Sequence, residues 1–200
     1  MKIRVSQLRR IISEEIYRHL NEATVDVIKP PAKISKGGNF QQGFIQVDDE
    51  IYRCSALQIA PYGAKAWDIR FERELKEISK YDDSRYVSNV MGDKGMSHSV
   101  AVLRAVEKWF MEWYSLNKSN VKVVVIGSKA DEESRTSLYE LLTKRIVSKL
   151  GLSLLSTSAT DAGGIDRRAF ILYDGEYVES NPKYKEILNK FLNRLFGATL

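Results

Sequence analysis

Val121-Lys122-Val123-Val124-Val125-Ile126 decides the fold. Every residue in it but Lys122 is β-branched, and no polar residue alternates with them. Such a run reads as a strand buried on both faces. A strand of that kind needs a layer on each side, so it sits inside a sheet with helices packed against it.

The flanks supply those helices. Downstream, Asp131-Glu132-Glu133 puts acids where a helix N-terminus favours them. Leu138, Leu142, Ile146 and Leu150 form the apolar stripe of that helix, and Gly151 ends it. Upstream, Ser97 or Ser99 caps a long helix reaching about Leu116, with Val100, Leu103, Val106, Phe110 and Trp113 on one face. Leu152 to Ser156 and Ala169 to Tyr173 read as two more strands, and Pro182 opens a last amphipathic helix.

Before the long helix the pattern changes to strands. Phe44 to Val47 and Ile51 to Cys54 flank Asp48-Asp49-Glu50, which suits a hairpin turn. Trp67-Asp68-Ile69-Arg70-Phe71-Glu72 alternates apolar with charged residues, as a half-buried strand does. Tyr86 to Met91 reads as another short strand. Strands meander first and alternate with helices later. The expected class is α+β, or an α/β three-layer arrangement, with one mixed sheet flanked by helices.

The chain start reads differently. Val5, Leu8, Ile12, Ile16 and Leu20 recur at helical spacing, with Arg9, Arg10 and Arg18 off the stripe. Pro30-Pro31 and Gly37-Gly38 then interrupt any regular element. The expected division is an amphipathic docking helix over 1–22, a linker over 23–43 and a globular domain over 44–200.

Composition excludes several classes. The chain has 200 residues, 44% hydrophobic and 28% charged, an ordinary globular balance. No apolar run approaches the roughly 18–20 residues that span a bilayer. Cys54 alone cannot form an intrachain disulfide, and with only His19 and His98 no metal site is expected. Charged residues interrupt the N-terminal stretch, so no secretory signal is expected there, and a single thiol suits a reducing interior. A net charge of +5 permits a nucleic-acid partner without requiring one.

One segment has the form of a ligand loop. Met91-Gly92-Asp93-Lys94-Gly95-Met96-Ser97 joins a strand to a helix, where backbone N–H groups can face a phosphate. It lacks the Gly-Lys-Ser/Thr ending of a P-loop. The order strand, glycine loop, long helix, buried strand, then a helix with Ser137-Leu138-Tyr139-Glu140 resembles the Gcn5-related N-acetyltransferase superfamily. That resemblance spans roughly Trp67 to Tyr173. It implies an acetyl-CoA pyrophosphate cradle at Gly92 and Gly95, with Ser97 at the helix start. It also implies Tyr139 as the proton donor to the leaving thiolate. The family's Gln/Arg-x-x-Gly-x-Gly/Ala pattern is not reproduced in Val90 to Ser97.

A second resemblance lies in Met1 to Glu15, similar to a leader-like helix of uncharacterised marine bacteriophage proteins, and in Glu133 to Tyr139. It implies a phage protein of the bacterial host cytoplasm or the virion. Other groups have plainer readings. Asp161, Asp166, Arg167 and Arg168 flank Gly163-Gly164, either as a phosphate grip or as a solvated loop. His98 is a base or a structural histidine, and Cys54 is a small buried apolar residue. The leading expectation is a non-catalytic interaction protein without a cofactor. It docks on a protein partner, a phage assembly or a second copy through Val5, Leu8, Arg9, Ile12 and Ile16. The alternatives are an acetyl-CoA-dependent N-acyltransferase and a nucleic-acid-binding accessory protein.

Overall fold

A computed structural model describes residues 26–29, 38–59, 65–74, 86–87, 95–129, 133–160, 166–196 and 200. Its strands are β1 (Asp26–Lys29), β2 (Phe40–Val47), β3 (Glu50–Gln58), β4 (Ala66–Glu74), β5 (Tyr86–Val87), β6 (Val123–Lys129), β7 (Ser153–Thr160) and β8 (Asp166–Tyr173). Its helices are α1 (Gly95–Asn117), α2 (Glu133–Leu150), α3 (Gly175–Glu179) and α4 (Pro182–Phe196).

All eight strands form one sheet, ordered β1-β2-β3-β4-β6-β8-β7, with β5 on the side of β4. Adjacent strands run antiparallel except β4 and β6, which are parallel. The mixed sheet flanked by helices is as the sequence implies. A parallel neighbour requires a crossover, and the long helix α1 supplies it.

Alternation along the strands builds two cores. Ile45, Val47, Tyr52, Cys54, Ala56, Trp67, Ile69 and Phe71 point to the face covered by α1 and α2. Val124, Ile126, Phe170 and Leu172 continue that layer. Val123, Val125, Ala169 and Ile171 point to the other face, where Val178, Tyr184, Leu188 and Leu192 of α3 and α4 cover them. The β-branched run is therefore buried on both faces. Across the first face Trp113 meets Trp67 edge-on at 5.8 Å and stacks on Trp109 at 6.2 Å. The indole N–H of Trp113 donates to Gln41 Oε1 at 2.8 Å.

Several boundaries differ from the sequence reading. Within the stretch 23–43 read as a linker, Asp26–Lys29 pairs with β2 as Asp26↔Gln46, Val27↔Ile45 and Lys29↔Phe44. Strand β2 starts at Phe40, so Phe40 to Gly43 is also sheet. These positions pair because the backbone of β2 would otherwise present an unpaired edge. Helix α1 begins at Gly95, ahead of both Ser97 and Ser99, so Ser97 lies in its first turn and is not its N-cap. In the hairpin only Asp48-Asp49 makes the turn, while Glu50 already pairs with Val47. The last helix is preceded by the short α3, capped by Asp174. Gly151 ends α2 as expected, at φ +65°, with Leu152 N–H returning to Val147 O. The docking helix over 1–22 lies outside the described residues.

Candidate functional site

The alternation of β4 gives each of its faces a separate task. Trp67, Ile69 and Phe71 fill the core under α1. Asp68, Arg70 and Glu72 take the opposite face, where Arg70 Nε meets Asp68 Oδ2 at 2.6 Å and Arg53 pairs with Glu72.

Along its length β4 changes neighbours. From Ala66 to Ile69 it lies against β6, in the register Ala66↔Val123 to Ile69↔Ile126. Both strands then continue, β4 to Glu74 and β6 to Lys129, with no further pairing between them. Strand β3 keeps the other edge of β4 through Ser55↔Arg70, Cys54↔Phe71 and Arg53↔Glu72. β5 rejoins β4 only at Arg73↔Val87 and Glu74↔Tyr86. Residues Arg70 to Glu72 thus face a wedge whose far lip is Gly127 to Lys129, and no described strand fills it.

This wedge opens at the carboxyl ends of two parallel strands, the end where α/β sheets bind ligands. Above it, Tyr139 of α2 reaches across and packs edge-on against Phe71 of β4, 5.0 Å between centroids and 74° between planes. Tyr139 is 4% exposed. On the opposite face Gly127 carries no side chain, and a Cβ built there meets nothing within 4 Å. The face of β6 at Gly127 is therefore open.

Helix α1 starts at this same end. His98, in its first turn, reaches the hairpin of β2 and β3, whose residue Tyr52 pairs with Arg73 at the open end of β4. His98 Nδ1 lies 2.9 Å from Asp48 Oδ2, and Nε2 lies 3.0 Å from Glu50 Oε2 and 2.8 Å from the Tyr52 hydroxyl. That hydroxyl donates to Glu50 Oε2 at 2.5 Å. His98, Glu50 and Tyr52 are all buried.

The expected site residues fall unevenly. Tyr139 overlooks the wedge. Gly95 opens α1, and Ser97 follows in the same turn at the same end. Gly92 lies outside the described residues, as do Val5, Leu8, Arg9, Ile12 and Ile16. Asp166, Arg167 and Arg168 do not form a loop: they pair in β8 with Thr160, Ala159 and Ser158. Arg168 is engaged with Ser156 Oγ at 3.2 Å and stands over the Phe170 ring. Cys54 is fully buried, and burial pushes its thiol above the ordinary range, which suits packing and not attack. The sequence reading missed the carboxylate pair around His98, because Asp48 and Glu50 lie some fifty positions away and looked like turn residues.

No family model matches the chain, and no curated protein matches it. Solved structures do. A chimera of the Vibrio cholerae spermidine N-acetyltransferase and hSSAT aligns with TM-score 0.42 and 8% identity, over 84% of this chain and 78% of that one. A ribosomal L7/L12 alpha-N-protein acetyltransferase in complex with coenzyme A aligns with TM-score 0.40 and 11% identity, over 86% and 73%. A Bacillus subtilis acetyltransferase in complex with CoA aligns with TM-score 0.36 and 11% identity, over 76% and 99%. No described helix is long and apolar enough to cross a membrane.

Proposed function

We propose that the chain is an acetyl-CoA-dependent N-acyltransferase. The observation that carries this reading is the wedge between β4 and β6. Among the described residues no strand pairs with Arg70 to Glu72 on that edge, and strand edges of this kind take up extended partners. The pantetheine arm of coenzyme A is such a partner, since its two amides are spaced along an extended chain.

The residues then have distinct tasks. The edge of β4 orients the extended arm. The start of α1 at Gly95 and Ser97 directs free N–H groups toward the end where the diphosphate would lie. Tyr139 holds a proton at its hydroxyl beside the wedge, placed by Phe71. Bound acetyl-CoA supplies the acyl group as a thioester. With acetyl-CoA bound, an amine acceptor would take the acyl group as the C–S bond breaks and would lose one N–H proton to solvent; Tyr139 would give its hydroxyl proton to the thiolate and regain one from solvent.

The test is calorimetric titration of the full chain with coenzyme A and acetyl-CoA, repeated with Gly95→Trp. Saturable heat in the wild type, lost in a folded Gly95→Trp, is the expected outcome. Absence of heat at millimolar cofactor overturns the reading.

A further inference from the structure

We infer that His98 is a positioning residue that clamps the first turn of α1 to the β2–β3 hairpin and so sets where α1 enters the open end of the sheet. The clamp stands on geometry alone, whereas its effect on coenzyme A rests on the proposed acyltransferase reading.

Helix α1 has no acidic residue of its own in its first turn. Its unpaired N–H groups carry partial positive charge, which nearby carboxylates stabilise. Here the carboxylates come from another element: Asp48 from the turn and Glu50 from β3. His98 links both to the helix. Nδ1 lies against Asp48 Oδ2, and Nε2 lies against Glu50 Oε2 and the Tyr52 hydroxyl, which itself donates to Glu50, so the ring bridges both carboxylates.

Two further observations point the same way. Glu50 is nearly buried, and a buried carboxylate persists only when paired. Asp48 sits at φ +55°, a left-handed backbone that aspartate tolerates at some strain. Its side chain is 70% exposed, so burial does not hold it in place. Its carboxylate meets His98 Nδ1, and its backbone oxygen accepts from Gln46 Nε2 at 2.9 Å.

That exposure makes Asp48 the clean point of attack. Asp48→Gly removes the carboxylate, and glycine adopts the left-handed backbone without strain. Asp48→Asn keeps an acceptor for Nδ1 and also tolerates that backbone. The experiment is amide hydrogen exchange on the full chain, read by segment. Asp48→Gly is expected to speed exchange over residues 99–103 about fivefold, the scale of one lost hydrogen bond, while residues 110–117 stay unchanged. Asp48→Asn returns the first segment to within about twofold of the wild type. His98→Gln/Asp48→Gly should exchange no faster than His98→Gln alone, since both act through one link.

Unchanged exchange in Asp48→Gly overturns the clamp. So does a uniform rise along α1 and the sheet, or additivity in the double variant. In parallel, Asp48→Gly should weaken coenzyme A binding about fivefold and Asp48→Asn should restore it. A local exchange effect in Asp48→Gly, together with a wild type that gives no heat with coenzyme A, overturns the acyltransferase reading and leaves the clamp standing.

Discussion

The two halves of β4 share one sequence pattern and have different neighbours. Ala66 to Ile69 alternates apolar and charged residues between β3 and β6. Arg70 to Glu72 continues the alternation, but β6 no longer pairs with it. At the closed half the side chains complete a core: Trp67 under Trp113, with its N–H on Asn120 O at 3.3 Å. At the open half the same face holds Phe71 beneath Tyr139. Among the described strands the first half is paired on both edges, whereas Arg70 to Glu72 is paired on the β3 edge, which is where the proposed site lies.

The sharpest way to break this comparison is at the closed half. Trp67→Ala removes a fully buried indole and should destabilise the chain by about 3–5 kcal/mol. Denaturant unfolding of the full chain measures it. A loss under about 1 kcal/mol would show that the closed half is not the anchor of the sheet.

At the open half the expected effect moves from stability to rate. Tyr139→Phe keeps the ring on Phe71 and deletes only the hydroxyl, so it should cost no more than one hydrogen bond, about 0.5–1.5 kcal/mol, in unfolding. Acyl transfer from acetyl-CoA to a panel of primary amines should fall about 100-fold, the low end for loss of a general acid. That equals about 2.7 kcal/mol of barrier. Wild-type turnover in the variant would remove Tyr139 from the mechanism.

A smaller effect separates the sheet from what precedes it. Gln41 faces Ala56 in β3 and accepts the buried N–H of Trp113. Gln41→Ala leaves that donor without its partner and should destabilise by about 1–2 kcal/mol. Removing residues 1–41 takes the same acceptor and β1 besides, so it should destabilise more, whereas removing 1–22 spares both. Equal melting of all three would show that β1 and Gln41 add nothing to the sheet.

These outcomes follow how much of the molecule is legible in sequence. The stripes of α1, α2 and α4 read correctly because helical neighbours are three and four residues apart. The run at Val121 to Ile126 read correctly because burial on both faces leaves no alternation. Strand β1 was hidden between turn residues, since Asp-Val-Ile-Lys is too short to show a period and its pairing partner lies beyond Gly37-Gly38. Helix α3 carried a signal that was passed over, an aspartate directly before Gly175-Glu176. The wedge itself has no local signature, because it is made by where β6 stops pairing. Tyr139 was reached only through resemblance, while the His98 cluster joins positions that no short-range pattern connects.

The smallest effect expected lies at the closed end, where Asp174 joins α3 to the start of β6. Its Oδ1 accepts Tyr177 N–H at 3.0 Å, and its Oδ2 meets Lys122 Nζ at 3.0 Å. Partial burial by itself would raise this carboxyl, but the Tyr177 N–H and the Lys122 ammonium outweigh it and hold it below the ordinary range. A carboxyl lowered on folding binds fewer protons in the native chain than in the unfolded one. Its contribution is therefore present above the ordinary aspartate value of about 3.9 and is lost as pH falls through the lower native value. Asp174→Asn keeps the cap and removes only the charge, so it should cost under about 1 kcal/mol at neutral pH. Asp174→Ala loses the cap as well and should cost about 1 kcal/mol more. The gap between wild type and Asp174→Asn should shrink as pH drops below about 4, because the protonated aspartate then resembles the amide. Urea unfolding of the two proteins over that range measures the gap. A gap that stays constant would mean that the Lys122 pair contributes nothing through charge, and that the closed end is held by packing and the cap alone.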